Sequence, residues 1–515
     1  MGAHPLVVPV RTSEHRSDGG LRRVLRGGVV NMAGAAVGAA LNLALIVAIT
    51  RAFSQETAGL LFSATSVFLI MAAVSNLGAP DGLVYFIARM RVFGRAGGAP
   101  ALLRMAMGPV VVMSLVVALL LFVFARPLAD ALGPEDAAAY LRLLAVFLPF
   151  AVLTDSALAA TRAHHDMVTT ALVDKVGRPS AQLALVGLIV LSGSAGLLAL
   201  AWAGPYLPAA VLAWFWLGRI VHRAAPEQAV PETTDASERE EEPAGRVTPA
   251  AFWSFSLPRA LGGVAQMGVQ RGGVVMVALL SGVSGAAVFT AATRIMVVGQ
   301  FGTQAVLNAA QPRFAELLAS RDHTGVRSLY QAGTSWQVCL TWPLYLSALV
   351  FAPEVMRLFG AEYGTGATVL VIVCAGQLAA SVLGMGDLVL TMTGRTGLNL
   401  LNNLLSLLVN VGGCVLLVPS HGAPGAAVAL VSAVLVRKTL PLWQLRTVVA
   451  LHPVSRPVSV AVGGSLVWFG ALPLLAEACL GGGLPTLVLA VGVGVFGHLA
   501  SVWWLRDHLE LHLRR

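Results

Sequence analysis

Several long apolar stretches of this sequence carry polar residues at helical spacing, and the types of those residues define the chemistry on offer. In GGVAQMGVQRGGVVMVALL, residues 262–280, Arg271 stands among glycines and aliphatic side chains. Arg259, Gln266 and Gln270 are seven and four apart and so share one face of a helix. Gln300, Gln304, Asn308 and Gln311 form a second stripe, with Arg294 six residues ahead of it. Asn399, Asn403, Ser406 and Asn410, at spacings of four, three and four, form a third; Asn31 and Asn42, eleven apart, align as a fourth. Polar stripes facing lipid are costly, so these faces meet other helices or water. Amides commonly bond neighbouring spans, which suits isolated Asn and Ser. Four stripes spread over the chain fit a polar cavity better.

Arg271 lies nine residues before Leu280. At a rise of about 1.5 Å per residue this is roughly 13.5 Å along a helix, close to a bilayer midplane. Placing Arg there costs about 2.5–3.5 kcal/mol on insertion scales, so something must offset it. Gly268, Gly272 and Gly273 allow close helix approach, letting the guanidinium point inward. The planar fork suits bidentate contact with phosphate oxygens. An ion pair with Asp81, Asp155 or Asp387 offsets the burial equally well. Asp81 follows Pro80 in LGAPDG, where a helix should kink and free backbone groups. Asp387 sits well inside the apolar run around LGMGDLVL, and Asp155 lies nearer the cytoplasmic end. Asp81 and Asp387 are the candidates for a proton or sodium ion that couples transport to a gradient. Neutralising an arginine without titrating is the other role open to them.

The elements that must position these groups are membrane spans. The 515 residues are 57% hydrophobic and 11% charged, with a mean hydropathy of +0.79, too little charge to cover a soluble protein. Apolar runs near 27–50, 57–79, 104–124, 138–160, 172–192, 196–218, 251–280, 285–311, 333–352, 366–393, 397–418, 424–445, 457–477 and 483–505 predict an all-α polytopic membrane protein of about fourteen helices. Residues 1–26 read as a polar cytoplasmic tail without a removable signal peptide, and 506–515 as a second tail. Positive charge alternates between loops: Arg11, Arg16, Arg22, Arg23 and Arg26, then Arg89, Arg91, Arg95 and Arg104, then Arg437, Lys438, Arg446 and Arg456 fall on one side. The positive-inside rule makes that side, and both termini, cytoplasmic. The net charge of +9 therefore reports topology and not a nucleic-acid partner. Cys339, Cys374, Cys414 and Cys479 make neither a disulfide framework nor a metal cluster, and no G-x-x-x-x-G-K-[ST] loop is present.

The one long polar segment, residues 221–249, is rich in Pro, Glu, Ser and Thr and reads as a disordered cytoplasmic linker. It divides a lobe at 27–220 from a lobe at 250–447, each with six spans, and 457–505 adds two more. A shift of 227 positions aligns AGLLFSA (58–64) with GAAVFTA (285–291) without a gap. Both lobes start in the cytoplasm, so the repeat is parallel, with its axis along the membrane normal. Two such lobes around a cavity can rock to open either side.

Three stretches also resemble a known family. They are AITRAFSQETAGLLFSATSVFLIMAAVSNLGAPDGLVYFIARMR from Ala48, MVALLSGVSGAAVFTAATRI from Met276, and the segment from Arg357 to Leu430. In the last, FG-x-x-Y, a TGR-like turn, an Asn-bearing span and VP-x-x-G-x-x-GAA arrive in family order. The match, over roughly residues 27–450, resembles bacterial polysaccharide and oligosaccharide flippases of the multidrug/oligosaccharidyl-lipid/polysaccharide (MOP) exporter superfamily, to which the lipid II flippases also belong. One departure is Gln270, where many relatives have an acidic residue before the Arg.

The resemblance implies a two-lobed, non-enzymatic flippase that moves a polyprenyl-pyrophosphate-linked oligosaccharide by alternating access for polysaccharide or cell-wall biosynthesis. It implies no cofactor, membrane lipids as surroundings, and polysaccharide-assembly membrane enzymes as neighbours. The last two spans either flank a groove for the lipid tail or simply pack on the second lobe. A cation-coupled small-molecule exporter of the same superfamily is the runner-up, disfavoured by the Arg content. A membrane glycan polymerase or ligase would need a larger loop for its catalytic groups. The substrate-binding expectation rests on Arg259, Arg271, Arg294, Gln266, Gln270, Gln304, Asn308, Asn31, Asn42 and Asn403.

Overall fold

A computed structural model describes residues 14–92, 98–164, 166–224, 247–481 and 483–504, with side chains from Ala33 onward except at 91–92 and 223–224. Asn31, both chain ends and most of the 221–249 linker thus lie outside the described side chains. The described chain is helical, with no strand. Its first half runs through α1 (Glu14–Ala52), α2 (Gln55–Ser75), α3 (Ala79–Val92), α4 (Ala99–Val123), α5 (Ala125–Leu132) and α6 (Ala137–Ala163). The short α7 (Val168–Thr170) leads through a π-helical turn, Ala171–Gly177, into α8 (Arg178–Ser192), followed by α9 (Leu198–Ala203) and α10 (Tyr206–Ala224). The second half holds α11 (Pro249–Ser281), α12 (Val283–Ala319), α13 (His323–Val350), α14 (Ala352–Arg357), α15 (Ala367–Val382), α16 (Gly386–Met392) and α17 (Thr396–Leu445). Then come α18 (Arg456–Leu466), α19 (Leu472–Leu480) and α20 (Leu484–Trp504).

Eleven helical segments among the described residues are long and apolar enough to cross a membrane, against the fourteen apolar runs of the sequence. The two runs at 397–418 and 424–445 both lie in α17, which is two helices turning back on each other at Gly422 (φ 57°, ψ −138°), with Asn402 bonded to Gln444 and Ser406 to Ala433 between the arms. The other two lie on α8 with its π-helical turn and on α13. Asp174, Lys175 and Arg178 on the first, and Gln337 and Thr341 on the second, lower their hydropathy. Helices also overshoot the apolar runs. α1 starts at Glu14, inside the expected tail, and α3 reaches Val92, because backbone hydrogen bonding continues into water until something stops it. The kink expected at LGAPDG is present: α2 ends at Ser75, Leu77 and Gly78 take φ of 49° and 71°, and α3 restarts at Ala79.

The segments that align at a shift of 227 lie on α2 and α12, which pack against each other. Gly59 is the point of closest approach: a Cβ there would overlap the Val283 carbonyl and press on Ala287. α2 also packs on α11, and α1 leans on the π-helical turn through Gly34 and Gly38. Gly59→Val should therefore push two backbones apart. Overpacking of this kind costs about 1–3 kcal/mol, read as a lowered Tm in detergent; an unchanged Tm would mean that α2 and α12 do not meet there. α18 and α20 pack on α13, with Trp468 Nε1 donating to Ser501 Oγ at 2.8 Å. The outer faces expose Leu119, Leu191, Leu416, Phe496 and Trp504, as a surface solvated by lipid should.

Candidate functional site

Two polar cavities lie on opposite flanks of the α11–α12 pair. Consecutive residues separate them: Gln270 lines one and Arg271 the other, Gln300 lines one and Phe301 the other. The larger, about 370 Å³, lies within the second half. Gln266, Gln270, Gln300, Gln304, Asn308 and Gln311 from the predicted stripes all face it, and α17 adds Asn399 and Asn403. Gln304 Nε2 donates to Asn308 Oδ1 at 3.0 Å. Gln337 and Gln377 complete a wall of amides able to donate and accept.

The smaller cavity, about 210 Å³, is formed by α1, the π-helical turn, α11 and α12. Asn42, Lys175, Arg271 and Arg294 supply its polar lining, and no carboxylate lines it. Among the described residues neither guanidinium forms an ion pair within the 4.0 Å limit. This corrects the ion-pair alternative for Arg271: each carboxylate proposed for it is placed elsewhere. Asp155 accepts from Asn76 Nδ2 at 3.2 Å, Asp387 pairs with Lys438, and Asp81 is exposed in the first turn of α3. Arg294 Nε is buried without a hydrogen-bond partner. A buried donor left unpaired is costly unless a ligand completes it. Cations converging on a pocket lined by no carboxylate give it a chemistry that suits an anion.

Sequence reasoning missed the cation contributed by the π-helical turn, Lys175. Asp174 bonds both Lys175, at 3.0 Å, and Arg178, at 2.9 Å. Arg178 Nη1 in turn donates to the Tyr206 hydroxyl at 3.3 Å. This chain of bonds holds Lys175 at the cavity wall. The signal was LVDKVGRPS, three charges inside an apolar run, and a wide π turn often marks functional positions. Arg437 and Lys438 were read as loop cations. Instead both sit on α17 and line the amide cavity, with Lys438 buried. Lys438 Nζ lies 3.2 Å from Asp387 Oδ1 and donates to Gly384 O at 3.1 Å.

Four other expected positions, Arg259, Asp81, Ser406 and Asn410, fall outside both cavities. Arg259 lines neither cavity: it is exposed, stacked 3.6 Å over the Phe255 ring, with Nη1 donating to Phe255 O at 3.2 Å. Asp81 lines neither cavity. Ser406 donates to Ala433 O at 2.8 Å and serves as interhelical glue. Asn402, off the predicted stripe, exchanges bonds with Gln444 at 2.9 and 2.7 Å.

No protein-family model matches the sequence. A probable low-salt glycan biosynthesis flippase of Haloferax volcanii, Agl15, is 24% identical over 214 residues, 40% of this chain and 43% of that protein. The similarity thus spans less than half the length of that relative. In structure the chain is similar to a lipid II flippase, MurJ, in an inward closed conformation (TM-score 0.70, 11% identity, covering 94% of this chain and 99% of that one). It is also similar to an inward-facing multidrug resistance MATE family transporter (TM-score 0.59, 17% identity, covering 79% and 94%). A MOP superfamily transporter from Pyrococcus furiosus, described as having a binding pocket of reversed polarity, is similar with a TM-score of 0.54 at 18% identity, covering 83% of this chain and 95% of that one. A multi-pass helical membrane chain, it has the fold shared by the flippases and multidrug transporters of the MOP superfamily.

Proposed function

We propose that this protein flips a polyprenyl-pyrophosphate-linked oligosaccharide across the cytoplasmic membrane by alternating access, without making or breaking a covalent bond and without a cofactor. The observation that carries the reading is the cavity where Lys175, Arg271 and Arg294 converge with no lining carboxylate. Arginine forks match the oxygens of a diphosphate, and the unpaired Arg294 Nε offers one more donor. Across α11 and α12, the amide wall suits sugar hydroxyls, which need both donors and acceptors. The lipid tail would stay along the apolar outer faces. The names of the glycan and lipid II flippases that the chain is similar to support this substrate class.

The likeness to multidrug transporters favours a second reading, export of small organic cations. The charge of the smaller cavity opposes it, since Arg271 and Arg294, without a carboxylate partner among the described residues, repel a further cation. Reconstituted vesicles separate the two. A polyprenyl-pyrophosphate oligosaccharide should cross without ATP hydrolysis; if a panel of such lipids stays put while small cations are exported, the second reading replaces the first.

Both termini and the 221–249 linker are assigned to the cytoplasm on the alternation of positive charge. An impermeant thiol reagent should then label Ser237→Cys only in opened cells, and His421→Cys, exposed beside the Gly422 break, in intact ones. Labelling of Ser237→Cys in intact cells would reverse the orientation.

A further inference from the structure

The break between α15 and α16 is built like a cation site. α15 ends at Val382 and α16 starts at Gly386, so carbonyls at its C-terminal end lack helical donors. Gly384 takes φ 66°, and a Cβ there would collide with Thr334 Oγ1, so the turn needs glycine. Tyr330 donates its hydroxyl to Leu383 O at 2.7 Å. The two remaining oxygens, Gly384 O and Asp387 Oδ1, converge on one point. A free carbonyl just past the negative end of a half-helix, beside a carboxylate, offers the kind of oxygen ligands that hold alkali ions at breaks in transporter helices.

The point is occupied by the ammonium of Lys438, 3.1 Å from Gly384 O and 3.2 Å from Asp387 Oδ1. The residue type is telling. Of the 34 lysines and arginines only two are lysines, Lys175 and Lys438. Each lines a cavity, one in each half of the chain. A compact ammonium presents a point charge to converging oxygens, where a planar guanidinium would not fit as an ion does. Arg437, the neighbouring cation on α17, also faces the amide cavity, and no second carboxylate lines it.

We propose that Lys438 is a tethered cation. Its ammonium permanently fills the alkali-ion site made by the 383–385 break and Asp387, so the second half holds no exchangeable ion and transport runs without a sodium gradient. This goes beyond the substrate assignment and holds whichever molecule is carried. It also gives Asp387 a fixed partner where ion coupling through it was expected. Removing the ammonium should open the site: in Lys438→Ala the same oxygens keep one negative charge and face a cavity that admits water.

The test is a sodium titration of full-length protein in detergent, read by Tm and by radiolabelled sodium binding, with choline as the control salt. Wild type should show neither a sodium-dependent Tm shift nor bound sodium. Lys438→Ala should bind sodium saturably and gain Tm with it, and in vesicles its transport should be lost in choline and recovered in sodium. Sodium binding by wild type, or a Lys438→Ala protein indifferent to the salt, overturns the proposal. Should Lys438→Ala be recovered in neither salt, Lys438→Gln, neutral but still able to donate to Gly384 O, takes the same titration. The binding and Tm arms use no transported substrate, so they stand apart from any failure of the flippase reading.

Discussion

Arg271→Ala is expected to slow translocation of a polyprenyl-pyrophosphate oligosaccharide by about 30-fold or more while leaving the protein as stable as wild type, or more so. The transport loss follows from removing one partner of a buried charge contact, which costs about 2 kcal/mol at the low end, or more than a factor of ten. The stability effect has the opposite sign because Arg271 has no ion-pair partner within 4.0 Å among the described residues and shares its cavity with Lys175 and Arg294. Its removal relieves like-charge repulsion and the cost of burial, the trade between stability and activity seen at binding sites. Arg271→Lys keeps the charge without the fork and should fall between wild type and alanine. Arg294→Ala should behave alike. A paired set of vesicle transport rates and Tm values checks this: lower Tm with transport intact would make Arg271 a structural residue.

Asp387→Ala should be the most destabilising single change near the amide cavity. It leaves the Lys438 ammonium, with only 8% of its side chain accessible, without its counter-charge. Breaking such a pair from one side costs about 3–5 kcal/mol. No added metal cation can stand in for a missing carboxylate, so sodium should not rescue this variant, unlike Lys438→Ala. The double variant Asp387→Ala with Lys438→Ala removes both charges and should recover most of the lost stability. Chemical or thermal unfolding in detergent reads the comparison, and a double variant no better than Asp387→Ala alone would show that the pair is not what holds the break.

The parts of this arrangement that were legible in the sequence share one property: they are polar residues in the middle of apolar runs. Arg271, Arg294 and the Gln stripe from 300 to 311 are such residues, and all of them line cavities. Periodicity alone groups Arg259 with Gln266 and Gln270, because a helical face does not say which neighbour on its own helix a long side chain will reach. Phe255, one turn earlier, captures the guanidinium instead. Arg437 and Lys438 were taken for topological signals since they stand near the end of an apolar run. What turns Lys438 inward is the break at 383–385, on another helix, and no local pattern announces that meeting. Asp174, Lys175 and Arg178 are visible as charges, but the π turn that brings Lys175 to a cavity wall packs against α1, and no local pattern announces that contact. The Asn stripe split for the same reason: Asn399 and Asn403 face the cavity while Ser406 meets Ala433.

The contact between α2 and α12 has a mechanical meaning. At Gly59 the α2 backbone lies directly on the Val283 carbonyl of α12, with only the Ala287 methyl beside it. Helices that interdigitate resist sliding, because each ridge must climb out of its groove before it can move. At that point there are no teeth to disengage, so it would act as a bearing on which one helix can turn against the other. The teeth between the halves lie elsewhere, where Tyr85 and Phe86 of α3 stack on Phe252 and Phe255 of α11, and resistance to rocking would rest on those rings and on the cavities.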